Sequence, residues 1–181
     1  MRERMLAGDL YLAADPELDR MTHRAQRLCQ QYNALDPAAA DARRELLAGL
    51  LGAFGDGSEI RPPFFCDYGL HITIGDRFFA NYGLTVLDGA PVRIGDRVLL
   101  GPNVQIYTAT HPTDPEVRAQ GWELAQPITL GDDAWIGGGA IVCPGVTVGA
   151  GSTVGAGSVV TRDVPPGVLA AGAPCRVIRA L

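Results

Sequence analysis

Two hydrophobic rhythms divide the chain. From Leu18 to Tyr32 the apolar positions Leu18, Met21, Ala25, Leu28 and Tyr32 recur at alternating steps of 3 and 4, which places them on one stripe of a helix. Asp15-Pro16-Glu17 supplies the start of that helix: a carboxylate to cap free N–H groups, a proline suited to the first turn, and an acid near the positive end of the dipole. The same signal returns at Asp36-Pro37. A second helix is expected after it, with Leu46, Leu47, Leu50, Leu51 and Phe54 on its apolar face, until Gly55 and Gly57 stop it. Residues 1–57 are therefore predicted to form a helical cap.

From Ser58 onward the period becomes six. Leu130, Ile136, Val142, Val148, Val154 and Val160 are spaced by five consecutive steps of six, and Ile94, Leu100 and Ile106 form an earlier set at the same step. Glycine follows many of these anchors, as in Ile94-Gly95, Leu130-Gly131 and Val148-Gly149. Such a period fits neither a helix of 3.6 residues per turn nor a long alternating strand. It predicts a solenoid in which each hexad gives a short strand with one inward anchor, small or left-handed-tolerant residues turn the corners, and three hexads close a triangular coil. The solenoid is assigned to residues 58–166 and a C-terminal segment to 167–181.

Two departures from the period locate the loops. Ile74 and Ile94 are twenty residues apart, two more than a coil of three hexads, so a bulge is expected at Asn81–Gly83 or at Leu87–Ala90. Ile106 and Leu130 are twenty-four apart, which demands an excursion at about residues 107–126. Long excursions from compact scaffolds tend to carry function, and this one holds Thr108-Ala109-Thr110-His111-Pro112.

Composition narrows the function classes. Fifteen Lys and Arg against twenty Asp and Glu give a formal net charge of −5, which offers no overall attraction for nucleic acid or anionic membranes. The charged start Met1-Arg2-Glu3-Arg4-Met5 is unlike a signal peptide, and no run approaches the ~18 apolar residues of a membrane span, so a cytoplasmic protein is expected. Cys29, Cys66, Cys143 and Cys175 match neither a metal knuckle nor a small disulfide framework, and free thiols are expected. His23, His71 and His111 have no neighbouring His or Cys in sequence, so no metal is expected.

The quoted segments together resemble a known family. Met5-Leu6-Ala7-Gly8-Asp9-Leu10-Tyr11, Cys66-Asp67-Tyr68-Gly69, Phe79-Ala80-Asn81, Tyr107-Thr108-Ala109-Thr110-His111-Pro112, Trp135-Ile136-Gly137-Gly138 and Arg176-Val177-Ile178-Arg179 are similar to the hexapeptide-repeat acyltransferases, and within them to the maltose and galactoside O-acetyltransferases. The resemblance implies a mainly β fold, a left-handed parallel β-helix with an N-terminal α-helical cap. It also implies a homotrimer that binds acetyl-CoA and a sugar acceptor in clefts between neighbouring subunits. It places the catalytic histidine at His111, acceptor contacts at Asp15, Asp67 and Asn81, and CoA contacts at Gly138, Ala156, Thr161, Arg162, Arg176 and Arg179. Galactoside-type members carry the N-terminal Asp where this chain has Ala13, Ser at the position of Asp67 and a second Asp at Gly89. These departures favour maltose, glucose or a related sugar.

The implied reaction suits these residue types. A sugar hydroxyl is a poor nucleophile until a base takes its proton, and histidine as a residue type titrates near neutral pH. Glu123, in the same excursion as His111, would orient the imidazole. The oxyanion formed at the thioester carbon needs a fixed donor, and a backbone N–H in Gly137-Gly138-Gly139 is open to close approach. No Cys or Ser stands beside a base in sequence, so direct transfer without an acyl-enzyme is expected. The guanidinium groups suit CoA phosphates through paired donors. Asp15 is equally a helix N-cap, and Asn81 equally a residue to turn a corner in the left-handed conformation. The same scaffold also serves other acceptors, such as a galactoside, a nucleotide sugar, serine or an antibiotic, and can hold a zinc lyase of the carbonic-anhydrase type.

Overall fold

The computed structural model describes all residues from Met1 to Leu181. The chain opens with α1 (Arg2–Ala7), β1 (Tyr11–Leu12), α2 (Pro16–Asn33) and α3 (Ala40–Leu50). The long helix starts where the sequence signals it. Asp15 is extended and its Oδ1 accepts the N–H groups of Glu17 at 3.0 Å and Leu18 at 3.3 Å, while Leu18, Ala25, Cys29 and Tyr32 are buried. The third helix departs from expectation at both ends. Asp36 accepts the Ala38 N–H at 2.7 Å and closes a turn instead of capping a helix, and α3 begins only at Ala40, behind an Ala39 with no capping side chain. It ends at Leu50, with Leu51 already extended.

Phe54 belongs to the first solenoid strand, so regular coiling starts at Ala53, ahead of the boundary drawn at Ser58. The first coil is β2 (Ala53–Phe54), β3 (Glu59–Ile60) and β4 (Phe64–Cys66). The second is β5 (Ile72–Ile74), β6 (Phe79–Ala80) and β7 (Leu84–Leu87). The third is β8 (Val92–Ile94), β9 (Leu99–Leu100) and β10 (Gln105–Tyr107). The excursion holds β11 (Ala109–Thr110), α4 (Pro115–Ala119) and β12 (Trp122–Ala125). The solenoid resumes with β13 (Ile128–Leu130), β14 (Trp135–Ile136) and β15 (Ile141–Val142), then β16 (Thr147–Val148), β17 (Thr153–Val154) and β18 (Val159–Val160). A hairpin of β19 (Val168–Gly172) and β20 (Cys175–Ala180) closes the end.

The strands stack into three parallel faces. The first face orders β2, β5, β8, β13 and β16; the second runs from β3 through β6, β9, β14 and β17 to β19; the third orders β4, β7, β10, β15 and β18. Anchors sit directly above one another, as in Phe54, Ile74, Ile94, Leu130 and Val148 on the first face. No coil could bury its own anchor; each is covered by its neighbours, giving one continuous core of 33 buried residues. A second cluster of Met5, Tyr11, Leu18, Tyr68, Ala90 and Ala125 joins the cap, the excursion and one edge of the prism.

The three edges differ in chemistry. Between the first and second faces the corners carry an aspartate ladder, in which Asp76 accepts the N–H of Asp56 at 2.8 Å, Asp96 that of Asp76 at 2.9 Å and Asp132 that of Asp96 at 3.0 Å. Between the second and third faces the corners of the last three coils are small or cyclic, with Pro102, Gly138 and Ala156 stacked. The edge between the third and first faces holds every departure from the hexad. Cys66 to Ile74 and Val86 to Ile94 are each eight residues where six would close the coil, and the excursion leaves from the same edge after Tyr107. The bulge inferred from the spacing is thus at Leu87–Ala90, and it repeats one coil below at Asp67–His71.

Candidate active site

The enlarged edge is organised around Asp88, which is fully buried. Its Oδ1 accepts the backbone N–H groups of Asp67 at 3.1 Å and Tyr68 at 2.8 Å, and its Oδ2 accepts that of His71 at 3.3 Å. The bulge of one coil therefore fixes the bulge of the coil below. Burial pushes the Asp88 carboxyl up, opposed by those N–H donors, which favour the anion. The Asp88 carbonyl lies 2.7 Å from Nδ1 of His71, and since a carbonyl only accepts, that nitrogen carries the proton. Thr108, buried at the root of the excursion, donates to the Leu87 carbonyl at 2.6 Å and accepts the Ala90 N–H at 2.9 Å. Replacing Asp88 with Ala leaves three backbone donors unpaired, at about 1–3 kcal/mol each. We expect D88A to lower unfolding stability by about 3 kcal/mol or more in a denaturant titration, and D88N, which keeps an acceptor oxygen, to lose less.

Asp67, held in that loop, faces further negative charge. Burial first, then the carboxylates of Asp88 and Glu123, push its carboxyl up to about 7, and burial pushes the neighbouring Tyr68 hydroxyl up to about 12. An acid whose folded value lies above its unfolded one favours the native state at low pH and loses that contribution as pH rises through the folded value. D67N should therefore raise the melting temperature at pH 8, with the gain shrinking through the window from about 7 towards the ordinary carboxylate value near ~4. Calorimetry across that range checks the sign. A polar group retained at a cost to stability is the pattern of a functional position.

The excursion is a hairpin, not an irregular loop. Ala109 pairs Ala125 and Thr110 pairs Leu124, and His111 follows directly after the last paired residue. On the other side β12 pairs with β1 of the cap, where Tyr11 stands opposite Glu123 and donates its hydroxyl to Oε2 at 2.9 Å. Tyr11 and Glu123 thus form one cross-strand pair, and His111 stands exposed just past the end of β11. The cap therefore holds the excursion from behind, a role for residues 11–12 that helical periodicity alone did not reveal. Asp114 caps the short helix of the excursion through the Glu116 N–H at 2.8 Å.

The remaining predicted residues fall elsewhere. Asn81 lies on the second-to-third edge, outside the left-handed region that Arg77, Arg97, Asn103 and Asp133 occupy, so it does not turn its corner by backbone conformation. Its Oδ1 accepts the Tyr82 N–H at 2.8 Å. Gly138 and Ala156 lie above it on the same edge, where the Gly139 N–H goes to the Pro102 carbonyl and the Gly157 N–H to that of Gly138. Thr161 and Arg162 follow the last strand of the third face, and Arg162 and Arg176 line one cavity of about 130 Å³. Arg179 lies further along β20, opposite Leu169. Asp15 is occupied as the cap of α2, with the N-terminal ammonium 3.7 Å from its Oδ2. Sequence reasoning missed Asp88, His71 and Tyr11. The eight-residue gap ahead of Ile94 was the available signal for Asp88.

His23 sits on α2, His71 at the Asp67 bulge and His111 on the excursion, and no group of three or more His, Cys, Asp or Glu side chains is arranged to hold a metal ion. No helix is long and apolar enough to cross a membrane.

Residues 4–55 match the family described as "Maltose acetyltransferase hexapeptide capping motif", and residues 127–162 match "Bacterial transferase hexapeptide (six repeats)". Nodulation protein L of Rhizobium meliloti (strain 1021) is 50% identical over 97% of this chain and 96% of its own length. The crystal structure of a maltose O-acetyltransferase from Clostridium difficile 630 superposes with a TM-score of 0.98 at 43% identity, covering 99% of this chain and 96% of that one. A galactoside acetyltransferase in complex with coenzyme A superposes with a TM-score of 0.97 at 40% identity, covering 99% of this chain and 90% of that one. With its cap, its hexapeptide coils and its whole length matched, the chain belongs to the maltose and galactoside O-acetyltransferase family and is an acyltransferase.

Proposed function

We propose that this enzyme transfers the acetyl group of acetyl-CoA to a hydroxyl of maltose, glucose or a related sugar, with His111 as general base. The observation that carries the reading is the exposed His111 at the end of β11, on a hairpin that the cap holds through the Tyr11–Glu123 pair. Glu123 is fixed by the Tyr11 hydroxyl at 2.9 Å on the strand that pairs with β11, and the imidazole just beyond β11 is exposed and open to a bound alcohol. Glu123 stabilises the imidazolium as it forms. The sugar oxygen attacks the thioester carbon, its proton passes to His111, and the CoA sulfur leaves and is reprotonated. In the Gly137–Gly139 segment the outer N–H groups are spent on the carbonyls of Val154 and Pro102, so the Gly138 N–H is the donor available to the developing oxyanion.

Asp67 suits a polyhydroxylated acceptor, because a carboxyl that exchanges its proton near neutral pH both accepts from and donates to sugar hydroxyls. Arg162 and Arg176, on one small cavity, suit the phosphates of CoA, with Thr161 and Arg179 nearby in sequence and Gly138 and Ala156 leaving room along their edge for a pantetheine arm. Asp15 contributes to the acceptor side through the N-terminus of α2.

The proposed site residues do not all share one edge. Asp67 and the His111 excursion belong to the third-to-first edge, whereas Asn81 and Gly138 belong to the second-to-third, one face away. A hexad of extended chain at ~3.3 Å per residue spans up to about 20 Å, more than a sugar bridges. A complete site therefore combines the two edges from neighbouring copies, which supports a homotrimer with clefts between subunits. Acetyl-CoA consumption followed as thiol release, with glucose, maltose, a thiogalactoside, serine and chloramphenicol offered separately, tests the acceptor. Turnover on glucose or maltose is expected; turnover confined to serine or chloramphenicol would transfer the same chemistry to another acceptor class.

A further inference from the structure

The proposed reaction leaves four thiols without a task, and two of them meet. Cys29, near the C-terminal end of α2, and Cys66, the last residue of β4, place their sulfur atoms 3.7 Å apart. They are thirty-seven residues apart in sequence and lie on different parts of the fold, one on the cap and one on the solenoid. The pair forms part of the wall of a cavity of about 520 Å³, together with Gln26, Gln30, Asn33, Pro63 and Phe65. Cys29 is only 4% exposed, so this cavity is the route by which a small reagent reaches it. By contrast Cys143 and Cys175 are unpaired, each with its thiol pushed up by burial.

We propose that Cys29 and Cys66 form an oxidisable dithiol, a modification site for small hydroperoxides that crosslinks the cap helix to the strand bearing Asp67. The two sulfurs share a hydrogen bond, and the contact with Cys66 holds the Cys29 thiol below its ordinary value, which marks Cys29 as the first nucleophile. Its thiolate attacks the terminal oxygen of the hydroperoxide, the S–O bond forms as the O–O bond breaks, and the departing oxygen takes up the proton the thiol released, giving a sulfenic acid and an alcohol, or water where the oxidant is hydrogen peroxide. The Cys66 sulfur then attacks the sulfenic sulfur, the S–O bond breaks, and the oxygen leaves as water with the Cys66 thiol proton; two thiols are oxidised by two electrons and one peroxide is reduced. Bond formation needs the sulfurs to close from 3.7 Å to about 2.05 Å.

The crosslink has a direct line to the acceptor side. Cys66 precedes Asp67, and Cys29 lies on the helix whose first turn Asp15 caps. A disulfide ties together the two elements that carry these carboxylates and pulls on the strand end whose N–H groups Asp88 holds. Its effect on acetyl transfer rests on the acceptor reading given above, whereas its formation does not.

The test treats the full-length enzyme with hydrogen peroxide, counts free thiols, and maps peptides with and without dithiothreitol. The thiol count is expected to fall from the four of the reduced protein to two, with a dithiothreitol-sensitive peptide joining Cys29 to Cys66. That peptide is expected to be absent from C29S and from C66S, and C29A is a second, apolar replacement in case the serine disturbs packing. Oxidation is also expected to raise KM for the acceptor and leave KM for acetyl-CoA unchanged. Alkylation of both Cys29 and Cys66 after peroxide has consumed the other thiols, or their conversion to sulfinic acids without the joined peptide, would overturn the proposal. A joined peptide with unaltered acceptor KM would overturn its link to Asp67 and leave the dithiol standing.

Discussion

H111A is expected to lower kcat by about 10²-fold or more, the lower end of what a positioned general base contributes. KM for acetyl-CoA should stay near that of the wild type, because Arg162 and Arg176 line a cavity apart from the excursion that carries His111. The loss is expected in kcat because the proton moves only as the hydroxyl attacks, so the interaction is made in the transition state and not with the bound thioester. The fold should be unaffected: His111 is exposed and lies beyond the last paired residue of its strand. Steady-state thiol release in the two proteins reads the effect, and a variant with wild-type kcat would remove His111 from the chemistry.

The second large effect comes from mixing inactive variants. D67A and N81A alter different edges of the same prism, and each alone should lose most acceptor turnover. If every site takes Asp67 from one subunit and Asn81 from the next, mixed trimers assembled from equal amounts of the two variants contain sites in which both residues are intact. Random assembly makes that fraction about one quarter, so co-refolding should restore roughly a quarter of wild-type activity from two proteins with little of their own. Recovery is possible only across a subunit boundary. An inactive mixture, from partners shown by mass to have exchanged subunits, would place both residues in one chain's site or remove one of them from it.

The sequence carried the solenoid because the constraint repeats. A hexad with one inward anchor is imposed anew at every strand, so Leu130 through Val160 reveal the coil even though each strand is two or three residues long. The long helix was legible for a related reason, since capping by Asp15, the proline turn and the apolar stripe agree. The second helix misled because Asp36-Pro37 is also good turn chemistry, and a local hydrogen bond from Ala38 to Asp36 satisfied it without a helix. Phe54 matched a helical stripe only by coincidence with the first anchor of the solenoid, where it pairs with Ile74.

Of the site, the period exposed the place and not the partners. Excess residues at one corner pointed to the excursion and, through the gap ahead of Ile94, to the bulge that holds Asp88. That a buried carboxylate gathers the N–H groups of Asp67, Tyr68 and His71 from a coil below depends on contacts some twenty residues away in sequence, which no local pattern encodes. The pairing of Glu123 with Tyr11, on a strand of the cap, appears only when the antiparallel register is known. Which edge each residue occupies likewise follows from counting coils, and that count separates Asn81 from Asp67.

The central claim is that acetyl passes directly from CoA to a sugar hydroxyl inside one ternary complex. Initial velocities measured over a grid of acetyl-CoA and maltose or glucose concentrations, with acetylated sugar quantified against released thiol, test it most directly. The account predicts intersecting double-reciprocal lines, one acetylated sugar per thiol released, and no acetyl adduct on the enzyme. Parallel lines with an acetyl group trapped on Cys66, Cys143 or another side chain, or thiol release without acetylated sugar, would contradict it.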